Sequence, residues 1–276
     1  GKDDFIYSGA KTGYATGNTS MYINSEDGLY LLDAGFSNIL YSSIATGDLS
    51  GNGYTDFIIT GTKKELDGTN APIFEIYYNN GDLTFTKNIF SGIPHVTFGS
   101  LQIADFNNDG IQDILVNGLN GNSYISKIYF QDEDANFTDS QIPLMGTYFS
   151  DTAVFDANDD GYLDILITGF NTSYVPDTKL YINQQHGTFT EEQSGLDSVY
   201  FSSISIGDIN NDGVSDVLLS GMNSEYVPVL KTYINNGLGQ FTVENTFTGT
   251  YGGSSAFVDY NNDGLLDVFS MGSSEG

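Results

Sequence analysis

The chain has 276 residues and a formal net charge of −28, carrying eight basic residues against 36 acidic ones. That balance excludes nucleic acid and anionic membranes as partners, because both are held by basic surface. Cysteine is absent, which excludes disulfide scaffolding and thiol chemistry, and no apolar run approaches the roughly 18 residues of a membrane-spanning helix.

The first 35 residues hold three short apolar segments separated by turn residues, DFIYSG, SMYINSEDG and LYLLDAG, and they read as strands. From residue 36 a longer unit begins. Strand A (YSSIATG) leads into a nine-residue acidic loop, DLSGNGYTD at Asp48–Asp56, and strand B (DFIITG) follows and is expected to stop at Gly61. A variable segment then leads to strand C (EIYYNN), and a turn rich in Asn, Gly and Asp leads to strand D (LTFTKN). The same order returns with A as FGSLQIA, FSDTAVF, FSSISIG and GSSAFV, and with B ending at Gly118, Gly169, Gly221 and Gly272. C returns as KIYFQD, KLYINQ and KTYINN, and D as ANFTDS, GTFTEE and GQFTVE. The units are 1–35 (B to D only), 36–93, 94–145, 146–197, 198–248 and 249–276 (A and B only). Tyr129, Tyr181, Tyr233 and the strand-D phenylalanines are assigned to the core. Four antiparallel strands per unit of about 50 residues, repeated along the chain, predict an all-β fold of β-propeller blades. No stretch sustains the 3.6-residue apolar spacing of a helix, and a row of separate sandwiches needs about 100 residues each.

The acidic loops recur as DFNNDGIQD, DANDDGYLD, DINNDGVSD and DYNNDGLLD, with first aspartates 57, 51, 52 and 51 residues apart. Oxygens at positions 1, 3, 5 and 9, with the main-chain carbonyl of position 7, can surround one hard cation, and the count suits Ca²⁺ better than Mg²⁺. The candidate ligands are Asp105, Asn107, Asp109, Ile111 and Asp113; Asp156, Asn158, Asp160, Tyr162 and Asp164; Asp208, Asn210, Asp212, Val214 and Asp216; and Asp259, Asn261, Asp263, Leu265 and Asp267. The loop before them offers Asp48, Ser50, Asn52, Tyr54 and Asp56, with only two carboxylates, and is expected to bind most weakly. Gly53, Gly110, Gly161, Gly213 and Gly264 at position 6 predict a sharp turn at positive φ. An EF-hand would need Glu at position 12, where Ile59, Val116, Ile167, Leu219 and Ser270 stand instead. Asp4 lies 52 residues before Asp56 and reads as the last residue of a further loop.

The Gly-Asp openings Gly47-Asp48 and Gly207-Asp208, the Asp-x-Asn-x-Asp-Gly-x-x-Asp loops and the stretch from Tyr233 to Phe241 together resemble the FG-GAP/VCBS repeat family, the integrin-α-type propellers. The resemblance covers essentially the whole chain. It implies calcium loops joining strands A and B, about seven blades, and adhesion, lectin or scaffold roles, with a few relatives that accompany or form enzymes. Because both the first and the last unit hold a strand B, the chain is expected to be part of a larger propeller; a five-bladed ring with one redundant strand is the alternative.

In such blades the A–B loops and C–D turns share one face, and the B–C and D–A connections share the other. The variable B–C segments carry Tyr14, Tyr124, Tyr174 and Tyr226 at similar distances past the strand-B glycine. Either these rings form shallow sites for sugars, or each packs against the next blade. An enzyme is not expected: His95 and His186 have no nucleophile near them in sequence, and Glu65, Asp67, Asp132, Glu133, Asp134, Glu191 and Glu192 read as solvated turn residues. The expected role is a calcium-stabilised, secreted or cell-surface bacterial binding module whose partner is a glycan. A surface protein is the alternative partner, and a polysaccharide lyase or glycosidase is the less favoured reading. Neither nucleic-acid binding nor membrane insertion is expected.

Overall fold

A computed structural model describes residues 3–11, 16–65, 69–90 and 92–274. Tyr14 and Asp67 therefore lie outside the described residues. All regular structure among them is β, arranged in six separate antiparallel sheets whose strands neighbour one another in chain order. The first sheet holds β1 (Phe5–Lys11), β2 (Thr16–Ser25) and β3 (Gly28–Leu32). The second holds β4 (Ile39–Gly47), β5 (Asp56–Lys64), β6 (Asn70–Asn79) and β7 (Phe85–Asn88). The third holds β8 (Thr97–Ala104), β9 (Asp113–Asn120), β10 (Ser123–Gln131) and β11 (Phe137–Asp139). The fourth holds β12 (Tyr148–Phe155), β13 (Asp164–Phe170), β14 (Pro176–Asn183) and β15 (Phe189–Glu192). The fifth holds β16 (Tyr200–Gly207), β17 (Asp216–Met222), β18 (Pro228–Asn235) and β19 (Phe241–Thr246). The last holds β20 (Tyr251–Val258) and β21 (Asp267–Ser273).

The apolar cores lie between sheets. Ile58 and Ile76 of the second sheet meet Ile114 and Val116 of the third; Leu115 and Ile128 of the third meet Ile165 and Ile167 of the fourth; Leu166 and Leu180 of the fourth meet Val217 and Leu219 of the fifth. Strand B thus alternates between two neighbouring blades, and both of its faces are buried. That explains why it reads as an unbroken Ile, Leu and Val run. Each such side chain contributes roughly 1.5–3 kcal/mol on burial. Strands β4, β8, β12, β16 and β20 lie side by side in succession. Near their starts, Tyr41, Phe98, Phe149, Phe201 and Gly252 converge on a single hollow of about 360 Å³. Five sheets meeting at one centre is the radial arrangement of propeller blades. Among the described residues, no strand of the first sheet pairs with one of the last.

Strand B does not stop at its glycine. β5, β9, β13, β17 and β21 continue past Gly61, Gly118, Gly169, Gly221 and Gly272 to Lys64, Asn120, Phe170, Met222 and Ser273. The glycine instead faces a β-bulge in strand A, where the register slips between Leu40 and Ser43 and at the equivalent positions of β8, β12, β16 and β20. At Gly169, with φ 138°, a Cβ would stand 2.6 Å from Ser150 Cβ. Tyr129, Tyr181 and Tyr233 are buried, and Tyr181 Oη accepts the Met145 N–H at 2.9 Å, fixing the D-to-A connection. Of the strand-D phenylalanines only Phe241 is buried; Phe85, Phe137 and Phe189 are half-buried against the cores, because strand D is the outer edge of each sheet.

Candidate functional site

Each acidic loop is a wound turn whose side chains cap its own backbone. In the loop from Asp156, the two carboxylate oxygens accept the N–H groups of Asp160 at 3.1 Å and Gly161 at 2.7 Å. Asn158 Oδ1 accepts the Asp160 N–H at 3.3 Å, and Asp160 Oδ1 accepts the Tyr162 N–H at 2.9 Å. The loops from Asp105, Asp208 and Asp259 repeat this set. Gly53, Gly110, Gly161, Gly213 and Gly264 stand at φ 84–90°, the left-handed turn that position 6 requires. In the loop from Asp48 the caps onto Asn52, Gly53 and Tyr54 persist, but Asn52 turns its amide to the Asn79 carbonyl.

Position 9 behaves differently. Asp56, Asp113, Asp164 and Asp216 are fully buried. In Asp164, Oδ2 accepts the Ala157 N–H at 2.8 Å from position 2, and Oδ1 accepts the Asn183 N–H at 2.7 Å from the end of strand C. Asp113 and Asp216 make the same pair of bonds, to Phe106 and Gln131 and to Ile209 and Asn235, whereas Asp56 takes the Ser50 N–H from position 3 together with the Asn79 N–H. Asp4 accepts the Asn24 N–H in the same way at 2.8 Å, so it occupies position 9 of the first sheet. The sequence signals the invariant Asp but not its backbone partners. Burial, reinforced by the charges of Asp109 and Asp105, pushes the Asp113 carboxyl up to about 7. The Asp164 carboxyl rises to about 6, and Asp216 rises as well, with burial the main cause in each.

These residues fit a hard cation by donor chemistry. Every loop oxygen that accepts one N–H retains a lone pair, and the five described ion pairs all lie elsewhere, leaving the clustered loop carboxylates without a basic counter-charge. Among the described residues no three His, Cys, Asp or Glu side chains form a ready-made cage. A cation here would draw also on the position-3 amide oxygen and the position-7 carbonyl, donors that such an all-acid grouping does not include.

The opposite face is aromatic. Tyr174 and Tyr226 occupy matching five-residue loops, Asn171–Val175 and Asn223–Val227. In each the Asn carbonyl accepts the Tyr N–H, and the Asn side chain accepts two further N–H groups. Both tyrosines stand at positive φ, 58° and 59°, and their exposures are 75% and 72%. A bulky side chain in that conformation is strained, and neither ring is covered by a neighbouring blade. Tyr124 is partly buried and stacks on Tyr148 of the next sheet at 5.4 Å, with Tyr174 edge-on to it at 5.9 Å. From there the rings continue inward: Tyr148 to Phe149, Phe149 to Phe201 at 3.9 Å, Phe149 to Phe98 at 5.1 Å, and Phe98 to Tyr41 at 4.3 Å. Tyr41, Phe98, Phe149 and Phe201 also hold positive φ, between 48° and 53°, on the strand-A bulge. Sequence reasoning passed over them, although each lies seven residues before the first Asp of its loop.

The remaining polar groups do not converge. His95 accompanies Asn120, and its imidazole is pushed below its ordinary value by burial. Glu191 pairs with Lys179, and Asp132 caps its own turn. A family profile described as the FG-GAP-like repeat matches residues 105–167 and again 156–219, each match running from one acidic loop through the next. No curated protein matches the chain significantly.

Proposed function

We propose that this chain of FG-GAP/VCBS repeats is a calcium-stabilised extracellular binding module that holds its partner on the aromatic face. FG-GAP-like repeats point to a propeller-type binding or adhesion module. The observation that carries the choice of face is the pair Tyr174 and Tyr226. Two strained rings on matching loops are left largely exposed, Tyr174 touching only the edge of Tyr124, and strained exposed groups concentrate where ligands bind. Flat rings repeated at blade spacing suit the apolar faces of sugar units, with the phenol tips free to hydrogen-bond. A glycan is therefore the proposed partner, and the chemistry is recognition without catalysis.

In this reading Ca²⁺ sits in the loops through Asp, Asn and main-chain oxygens at positions 1, 3, 5 and 7, with the position-9 carboxylate beside them. When bound, it neutralises the clustered carboxylates and rigidifies each A–B connection. The rings do the recognising, and the loops hold the blades that carry them.

A glycan array probed in calcium, with Tyr174→Ala and Tyr226→Ala alongside, tests the reading. Each substitution is expected to weaken a positive signal by about tenfold, the loss of roughly 1.4 kcal/mol of ring contact. An empty array would transfer the proposal to a protein partner, and depolymerisation of an arrayed polysaccharide would replace it with an enzyme.

A further inference from the structure

A buried line of hydrogen bonds runs from loop to loop across four sheets. It begins at the Leu49 carbonyl, position 2 of the loop from Asp48, which accepts Gln131 Nε2–H at 2.9 Å. The Gln131 N–H donates to Asp113 Oδ1 at 2.9 Å, and Asp113 Oδ2 accepts the Phe106 N–H at 2.9 Å. The Phe106 carbonyl accepts Asn183 Nδ2–H at 3.0 Å, and the Asn183 N–H donates to Asp164 Oδ1 at 2.7 Å. Asp164 Oδ2 accepts the Ala157 N–H at 2.8 Å, and the Ala157 carbonyl accepts Asn235 Nδ2–H at 2.8 Å. The Asn235 N–H donates to Asp216 Oδ1 at 2.9 Å, and Asp216 Oδ2 accepts the Ile209 N–H at 3.1 Å. Every residue from Leu49 to Asp216 in this line is buried.

Each link couples two loops. Position 2 lies between the first and second candidate ligands of one loop, and its carbonyl is gripped by the side-chain amide of the residue whose backbone N–H binds Asp at position 9 of the next. Asn183 and Asn235 hold a third point, donating to the Leu163 and Ser215 carbonyls just before that Asp. Gln131 Oε1 and Asn183 Oδ1 are buried without a hydrogen-bond partner. An unsatisfied buried oxygen costs stability, so these amides are held there for what their N–H groups grip.

We propose that Gln131, Asn183 and Asn235 are positioning residues that link the calcium loops, so that filling one loop pre-orders the next and the loops from Asp48, Asp105, Asp156 and Asp208 load cooperatively. This rests on the calcium reading above. Ordering a loop main chain fixes its position-2 carbonyl, which holds the side chain of the shared Gln or Asn and so removes part of the ordering cost at the Asp bound to that residue's backbone N–H. The loop from Asp259 lies beyond the line's end at Ile209 and loads independently.

Isothermal calorimetry of the whole chain with CaCl₂ tests the linkage. The wild type is expected to show a Hill coefficient above about 1.5. Asn183→Ala, which leaves two separately linked pairs of loops, should lower the coefficient clearly below the wild type's and weaken calcium binding about fivefold. Asn183→Gln should restore both, since Gln131 makes the same cross-blade bond with the longer side chain. A structural role alone would lower the melting temperature of Asn183→Ala and leave its Hill coefficient equal to the wild type's. Calcium binding by the wild type with a Hill coefficient of one overturns the linkage however the variants behave, and so does undiminished cooperativity in Asn183→Ala. An absence of calcium binding to the wild type overturns the calcium reading itself.

Discussion

Asp156 and Asp164 belong to one loop, yet their oxygens serve different ends. Asp164 is buried with one backbone N–H on each oxygen, so it builds the blade whether or not a cation is present. Asp156 is only partly buried and caps its own turn. Asp164→Asn is expected to lower unfolding free energy by roughly 2 kcal/mol already in chelator, because one of two buried N–H groups loses its acceptor, and by more in calcium, because the loosened loop also binds the ion less tightly. Asp156→Asn is expected to lose most of its effect in chelator. Urea denaturation in both buffers checks the pair. A second acid lies off the loops: Asp151 Oδ2 accepts the Ile204 N–H of the next sheet at 2.9 Å, and burial pushes its carboxyl up to about 6. A raised folded value means that stability is fully present below the unfolded value and is lost as pH rises through the folded one. Asp151→Asn should therefore remove a fall of roughly 2 kcal/mol between about pH 4 and pH 7, read as the difference between wild-type and variant denaturation curves across that range.

At the scale of the strand, the bulge and its glycine form one device. Strand A gains a residue, kinks, and turns an aromatic ring toward the central hollow; strand B answers with a glycine at φ 138–156°. Gly169→Ala is expected to cost about 1–3 kcal/mol, measured by urea denaturation, since its Cβ would meet Ser150 at 2.6 Å and the φ is one that L-residues avoid. The device also shows what was legible beforehand. Strand order, antiparallel pairing and the acidic loops followed from alternation and spacing, which are local properties. The role of Gly169 was not legible, because a glycine that ends a strand and one that faces a bulge look alike until the partner strand is in register. The ring at Phe149 was missed for a related reason: it sits in an apolar strand start, where an aromatic reads as core. Only the constant offset to Asp156 marks it as a repeated feature, one that lines the central hollow. The buried Asp164 was legible as a repeated carboxylate but not as a staple, since Asn183 is 19 residues away in the chain.

At the scale of the whole molecule, the net charge of −28 has to be reconciled with a fold whose blades pack face to face. The four basic residues on strand C or D pair with nearby acids, Lys87 with Glu75, Lys127 with Asp139, Lys179 with Glu191 and Lys231 with Asp197, which leaves the loop face strongly negative. Self-repulsion of that kind opposes the compact state, and mobile salt and bound calcium relieve it by different laws. Salt screens over a Debye length and is not selective among ions of equal valence. Binding stabilises by about 2.7 kcal/mol per site at a hundredfold excess over the dissociation constant, and it discriminates by ligand count and size. Melting curves in chelator, in millimolar CaCl₂, in equal MgCl₂ and in NaCl of matched ionic strength therefore separate the two. Calcium is expected to raise the midpoint by ten degrees or more, on the order of several sites at roughly 3 °C per kcal/mol, with magnesium giving a minor part of that rise and sodium chloride less. Equal shifts in all three salts would assign the acidic loops to turn-making alone, with the blades held by the inter-sheet cores and the position-9 staples.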